Sequence, residues 1–235
     1  MKQFLLLNVT LLITYLAFGQ EKIEGIGKFK IGKSDTTQLY SFAKEQNMDV
    51  VQVFTVREQW MYTRTKVVQR LNSNGDPKSL EPSFYSFCPE TVVFYLPKYV
   101  VADIEMNELY LYYYQNTLVK IQIYEPSRLS SALELKYGEP KITSWEGEDK
   151  VKLSASEDEI KLKNKTYCSS WTNGPITAYS LLTDGHNEDG KREMSAIFSM
   201  ESVEKQNASR ICDQLAKEEA KKKQNAAAAE KLADL

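Results

Sequence analysis

Four groups of residues in this chain have the types and spacing for chemistry. The first, Gly27-Lys-Phe-Lys-Ile-Gly32-Lys33-Ser34, matches letter for letter the glycine-rich loop that cradles phosphate with backbone N–H groups and a lysine. Such a cradle needs an open loop behind a buried parallel strand, whereas residues 28–31 alternate polar and apolar as a strand does. The segment therefore reads as a strand-to-helix corner. The second group surrounds the only histidine, His186, in Asp184-Gly-His-Asn-Glu-Asp-Gly190. Its oxygens suit a hard cation, but the histidine stands at the third position and no glutamate closes a twelve-residue loop, so a hairpin turn is expected. Cys168 with His186 forms the third group, a nucleophile and base without a third residue to orient them. In the fourth, Glu146, Glu148 and Asp149 beside Trp145 have the composition of a sugar-cleaving site, and Trp145, Glu146, Glu148 and Trp171 together form a candidate sugar platform. Neither a Gly-x-Ser-x-Gly elbow nor a paired-cysteine metal motif occurs in the sequence. These residues predict no catalytic group, no metal and no cofactor, hence no enzyme.

Composition narrows the class further. Lys and Arg number 30 against 32 Asp and Glu in 235 residues, a net charge of −2 that supplies no field for a phosphate backbone, so no nucleic-acid partner is expected. With 42% hydrophobic residues the chain can bury a real core. Lys2, the largely apolar run 4–18 and the small residues of Ala17-Phe18-Gly19 predict a signal peptide over 1–19, cleaved after Gly19, and a periplasmic or secreted product. No second run reaches membrane-spanning length. Export permits disulfides, and Cys88, Cys168 and Cys212 allow at most one internal bridge, with all three pairings open.

The elements that must position these residues predict an α+β fold with an antiparallel, two-section sheet. Ser34 or Asp35 caps a helix to about residue 47, and a second helix follows Pro126-Ser127 and stops at Gly138. Runs rich in Val, Ile, Tyr and Thr fill the rest of 20–200, with an architectural similarity between two halves that meet near 80–100. Residues 201–235 read as one helix. Val203, Ala208, Ile211, Cys212 and Leu215 form its apolar stripe, and its charged, alanine-rich remainder projects into solvent.

The segment from Leu109-Tyr-Leu-Tyr-Tyr-Tyr-Gln-Asn-Thr-Leu-Val-Lys-Ile through Lys136-Tyr-Gly-Glu-Pro140 resembles exported α+β proteins of Bacteroidetes-type bacteria. It is loosely similar to the helix-plus-sheet modules of small outer-membrane assembly lipoproteins and β-lactamase-inhibitor proteins, although this chain lacks a lipoprotein cysteine and carries an additional C-terminal helix. The resemblance implies a binding or assembly role and transfers no catalytic residue. A two-residue turn at Gln115-Asn116 would pair Tyr112 with Val119 and Tyr110 with Ile121. One face, Tyr110, Tyr112, Val119, Ile121 and Ile123, would then pack under the second helix. The other face, Leu109, Leu111, Tyr113 and Leu118 diluted by Lys120 and Gln122, becomes the candidate interaction surface for another envelope protein or surface ligand. The predicted function is thus a non-enzymatic exported binding protein, with a carbohydrate-binding or glycan-hydrolysing accessory protein as the alternative.

Overall fold

Alternating apolar and polar side chains let one strand face two different environments, and most of this chain is built on that period of two. The computed structural model describes residues 22–54, 61, 67–71, 86–124, 129–152, 159–187 and 189–233; the leader expected over 1–19 lies outside them. A short hairpin, β1 (Gly25–Ile26) with β2 (Phe29–Lys30), leads into helix α1 (Thr36–Glu45). The remaining strands are β3 (Asp49–Val53), β4 (Val67–Leu71), β5 (Thr91–Val101), β6 (Ile104–Tyr114), β7 (Thr117–Tyr124), β8 (Lys141–Lys152), β9 (Glu159–Asn173), β10 (Ile176–His186) and β11 (Arg192–Ser202). Helix α2 (Leu129–Tyr137) separates β7 from β8, and α3 (Val203–Ala233) ends the described chain.

The nine strands after α1 form a single sheet in the order β3-β4-β5-β6-β7-β11-β10-β9-β8, antiparallel except for β3 with β4. The fold is α+β as expected, but its sheet is not in two sections. β5 bonds to β4 on one side and β6 on the other, so the nine-stranded sheet is continuous across residues 91–101.

Helices α1 and α2 cover one face. Asp35 caps α1 by accepting the Gln38 N–H at 2.9 Å, and the helix buries Leu39, Phe42 and Ala43. α2 buries Leu129, Leu133 and Tyr137 and ends at Gly138, whose φ of 82° is the left-handed conformation a helix stop requires. The Gly138 carbonyl accepts the indole N–H of Trp171 at 2.8 Å, which satisfies the polar atom of an otherwise buried ring. Between these helices and the sheet lie Phe94, Leu96, Phe198 and Met200, and each such side chain contributes about 1.5–3 kcal/mol by burial.

The β6–β7 hairpin corrects the expected facing of its side chains. Gln115 and Asn116 do form a two-residue turn, with φ of 49° and 58°. The ladder slips by one residue between Tyr112 and Tyr113, so Tyr113 opposes Leu118, Tyr112 opposes Lys120, and Val119 is the extra residue of a bulge. A slip of one residue exchanges faces. Leu109, Leu111, Tyr113 and Leu118, expected as an exposed interaction surface, are each 0% exposed in the main core, paired with Ile123, Ile121 and one another. Tyr110 and Tyr112, expected under the second helix, stand on the opposite face with Lys120 and Gln122. There a smaller cluster of Val53, Leu71, Val93, Tyr95 and Tyr110 packs together.

Candidate functional site beneath the C-terminal helix

α3 lies against β6, β7 and β11 on this second face, with its polar side inward. Val203, Ile211 and Leu215, expected as its buried stripe, are 46%, 61% and 62% exposed, while Gln206 and Ser209 are buried. The fixings of the helix explain the inversion. Cys88 and Cys212 form the disulfide, leaving Cys168 as the free thiol. Asp213 accepts the Ser86 hydroxyl at 3.0 Å and the Phe87 N–H, and also pairs with Lys217 at 2.9 Å. Ser209 bonds Thr91 at 2.9 Å, and Arg210 reaches Glu201 at 3.3 Å. A covalent bridge and side-chain hydrogen bonds thus hold the helix where an apolar stripe ordinarily would.

Between these fixings and the strands lies a cavity of about 400 Å³, lined chiefly by Tyr112, Lys120, Gln122, Tyr124, Gln206 and Arg210. Lys120 stands directly opposite Glu201 in the β7–β11 ladder, with its Nζ 5.1 Å from the centre of the Tyr112 ring. Burial pushes its ammonium down to about 8; the negative charge of Glu201 opposes that shift and the positive charge of Arg210 adds to it. Among the described residues Lys120 has no carboxylate within ion-pair distance. Glu201, almost fully buried, accepts instead from Arg210 and from the Tyr179 hydroxyl at 3.4 Å. The Gln122 amide donates to the Tyr124 hydroxyl at 3.0 Å. Burial raises the phenols of Tyr112, Tyr124 and Tyr179, which keeps them protonated and able to donate. Gln206 is 7% exposed, and its Oε1 has no hydrogen-bond partner among the described residues. The cavity is therefore bordered by an ammonium that rests against the Tyr112 ring and has no carboxylate partner among the described residues, and by a buried glutamine, among hydroxyls and aromatic rings.

The groups singled out in the sequence fall elsewhere. The candidate sugar platform is dismantled by the period of two: Trp145 points to the α3 side of the sheet, whereas Glu146 and Glu148 point to the other, and Glu148 is paired with Lys161 at 3.0 Å. Trp171 is buried at 5% exposure and belongs to the main core. Cys168 opposes Leu181 in the ladder, five residues along β10 from His186, a separation of about 16 Å that no nucleophile and base can bridge. His186 is part of a clasp across the sheet edge. Asp149 accepts its backbone N–H at 2.8 Å and the Asn164 amide at 2.6 Å, and the Asn164 bond holds the Asp149 carboxyl below the usual carboxylate range. In the following turn the Asn187 side chain accepts from the N–H groups of Asp189 and Lys191, and Asp184 is engaged by Arg192 at 2.7 Å. The phosphate-loop match is the β1–β2 hairpin and its exit. Lys33 pairs with Glu24 at 2.8 Å, and Gly27 is required because a Cβ there would meet the Tyr99 hydroxyl at 2.3 Å.

An exposed apolar patch also lies on the α2 side of the outer strands, where Ile142, Tyr167, Leu182 and Met194 come from four successive strands and Tyr167 directly opposes Leu182. Reasoning from the sequence missed both the patch and the cavity. The signal for the cavity was a lysine and a glutamine two apart in an apolar strand, Lys120 and Gln122, facing the same way as Tyr110 and Tyr112. No family model matches the chain, and neither do curated proteins or solved structures.

Proposed function

We propose that this chain is a non-enzymatic, exported binding protein of the bacterial cell envelope, and that it holds a small polar ligand between α3 and the sheet. Gln206 carries the reading. A buried polar atom left without a hydrogen bond, as the Gln206 Oε1 is among the described residues, costs about 1–3 kcal/mol; Gln206 borders a cavity large enough for a small molecule, and a turn of its amide would bring that oxygen to a ligand. Lys120, half-buried and without an ion-pair partner among the described residues, borders the same space. A ligand carrying a hydrogen-bond donor and a group attracted to an ammonium would satisfy both. The disulfide between residues 124 apart in sequence supports the envelope location, because such bridges persist in oxidising compartments. N-terminal sequencing of the native protein should begin at Gln20; a retained Met1 would refute export by cleavage after Gly19.

A metabolite library screened by two-dimensional NMR tests the site. Shift changes should cluster at Tyr112, Lys120 and Gln206 and disappear in Gln206→Leu, whose melting temperature should equal or exceed that of the parent. Hits that cluster elsewhere, or that survive Gln206→Leu unchanged, would defeat the reading. A protein partner is the second reading. It is favoured by the patch of Ile142, Tyr167, Leu182 and Met194, since exposed apolar groups brought together from several strands mark interaction surfaces.

A further inference from the structure

We infer that the ligand of this cavity is a small hydroxylated carboxylate of about one sugar ring in size, a conclusion that rests on reading the cavity as the binding site. Charge sets the class of ligand. Arg210 is committed to Glu201 at 3.3 Å, and Asp213 to Lys217 at 2.9 Å and to Ser86 at 3.0 Å. Setting those pairs aside leaves, among the described residues, one cation bordering the space, Lys120. A single carboxylate balances a single ammonium, whereas a phosphate dianion would leave an excess negative charge beside Glu201 in a partly desolvated site. The remaining groups are neutral. Once its amide turns toward the space, the Gln206 oxygen takes a donor such as a hydroxyl, and Ser209 and Gln122 can both donate and accept. Ile197 is the one aliphatic side chain on the wall, so an acyl chain would meet little apolar surface. A volume of about 400 Å³ holds one ring with a few waters.

The electrostatics of Lys120 add a consequence specific to an anion. Burial holds its ammonium near 8, and an arriving carboxylate would pull that value back up, so the complex should take up protons between about pH 8 and 9. Neutral ligands would not do this.

Titration calorimetry at pH 8.5, in two buffers of different ionisation enthalpy, tests both points on the intact protein. The probes are glucuronate, open-chain gluconate, the methyl ester of glucuronate, glucose and inorganic phosphate. Glucuronate or gluconate should bind with net proton uptake, and their comparison distinguishes a ring from an open-chain source. The methyl ester should bind at least tenfold more weakly, as should glucuronate to Lys120→Met. Glucose binding as well as glucuronate, phosphate binding as well as either carboxylate, or unchanged carboxylate affinity in Lys120→Met would each overturn the ligand class. The same holds if no carboxylate binds. Should glucose bind and Gln206→Leu abolish it, the ligand class fails while the cavity stands as a binding site. If no library compound shifts the resonances of Tyr112, Lys120 or Gln206, the site itself fails.

Discussion

One sheet presents two faces with opposite chemistry. Against α1 and α2 it is dry: Phe94, Leu96, Leu111, Ile121, Phe198 and Met200 fill the interface, and Arg70 stands opposite Phe94 toward its β4 margin. Against α3 it is wet, with Lys120, Gln122, Glu201 and three tyrosines beneath a helix whose inward side is Gln206, Ser209 and Asp213. The first interface stays closed by water exclusion, which needs only shape and apolar area. The second lacks that area and is closed by a disulfide and directional bonds. A fold can thus place a stable body and an adaptable cavity back to back, provided a covalent tie substitutes for the missing apolar contact.

The comparison breaks most sharply at Leu111. On the dry face a lysine there would bury an ammonium with no partner, so Leu111→Lys should abolish the cooperative melt and Leu111→Ala should destabilise by about 2–5 kcal/mol. A melting temperature left unchanged by Leu111→Lys would show that this face is not core. Cys212→Ser comes next. Opening a loop of this length should cost about 2–5 kcal/mol, and the damage should be selective. Hydrogen exchange should quicken in the first turns of α3 while α1 and α2 keep their protection. Uniform loss of protection across all three helices would mean that the two faces do not have separate supports.

How far the sequence reveals these faces follows from the physics of each. The helix caps, the stop at Gly138 and the turn at Gln115-Asn116 depend on near neighbours, so local residue types predict them. The facing of β6 relative to β7 depends on the bulge at Val119, whose extra residue carries no composition signal: Ile121 and Ile123 face the helices as expected, but Leu109 and Leu111 join them in place of Tyr110 and Tyr112. Lys120 and Gln122 read as mere dilution of an apolar face because the slip was invisible. The same limit applies to α3. Its most apolar residues, Ile211 and Leu215, point outward, since a bridge between residues 124 apart, not hydrophobic periodicity, fixes its rotation. The sugar platform failed for a simpler reason: Trp145 and Glu146 are adjacent in a strand, and adjacent strand residues face opposite ways.

A pH titration sharpens the wet side. The folded value of Lys120, near 8, lies below the roughly 10.4 of an unfolded lysine, so between them the unfolded chain binds more protons and stability should rise with pH. Above about 10 the sign reverses, because burial raises Tyr95 to about 12 and raises Tyr112 further, while unfolded tyrosines ionise near 10. Melting temperatures from pH 7 to 11 should therefore climb, peak near 10 and fall. Lys120→Met should lack the climb and keep the fall. A climb that survives in Lys120→Met belongs to some other group.

The smallest effect is expected on the dry side, at the hydroxyl of Tyr113. Tyr113 is 0% exposed, its ring meets Phe94 edge-on at 5.7 Å, and its hydroxyl is buried with no hydrogen-bond partner among the described residues. Burial, with a smaller contribution from the charge of Asp35, raises this phenol, so it remains neutral while still lacking an acceptor. Removing a hydroxyl that makes no bond loses no interaction and removes a desolvation penalty, whereas the ring, which does the packing, stays in place. Tyr113→Phe should therefore be neutral or stabilising, by up to about 1 kcal/mol, and should leave ligand binding on the other face untouched. Thermal and denaturant melts measure it. A loss of more than about 1 kcal/mol would mean that the hydroxyl does find a partner, and the face could no longer be treated as dry.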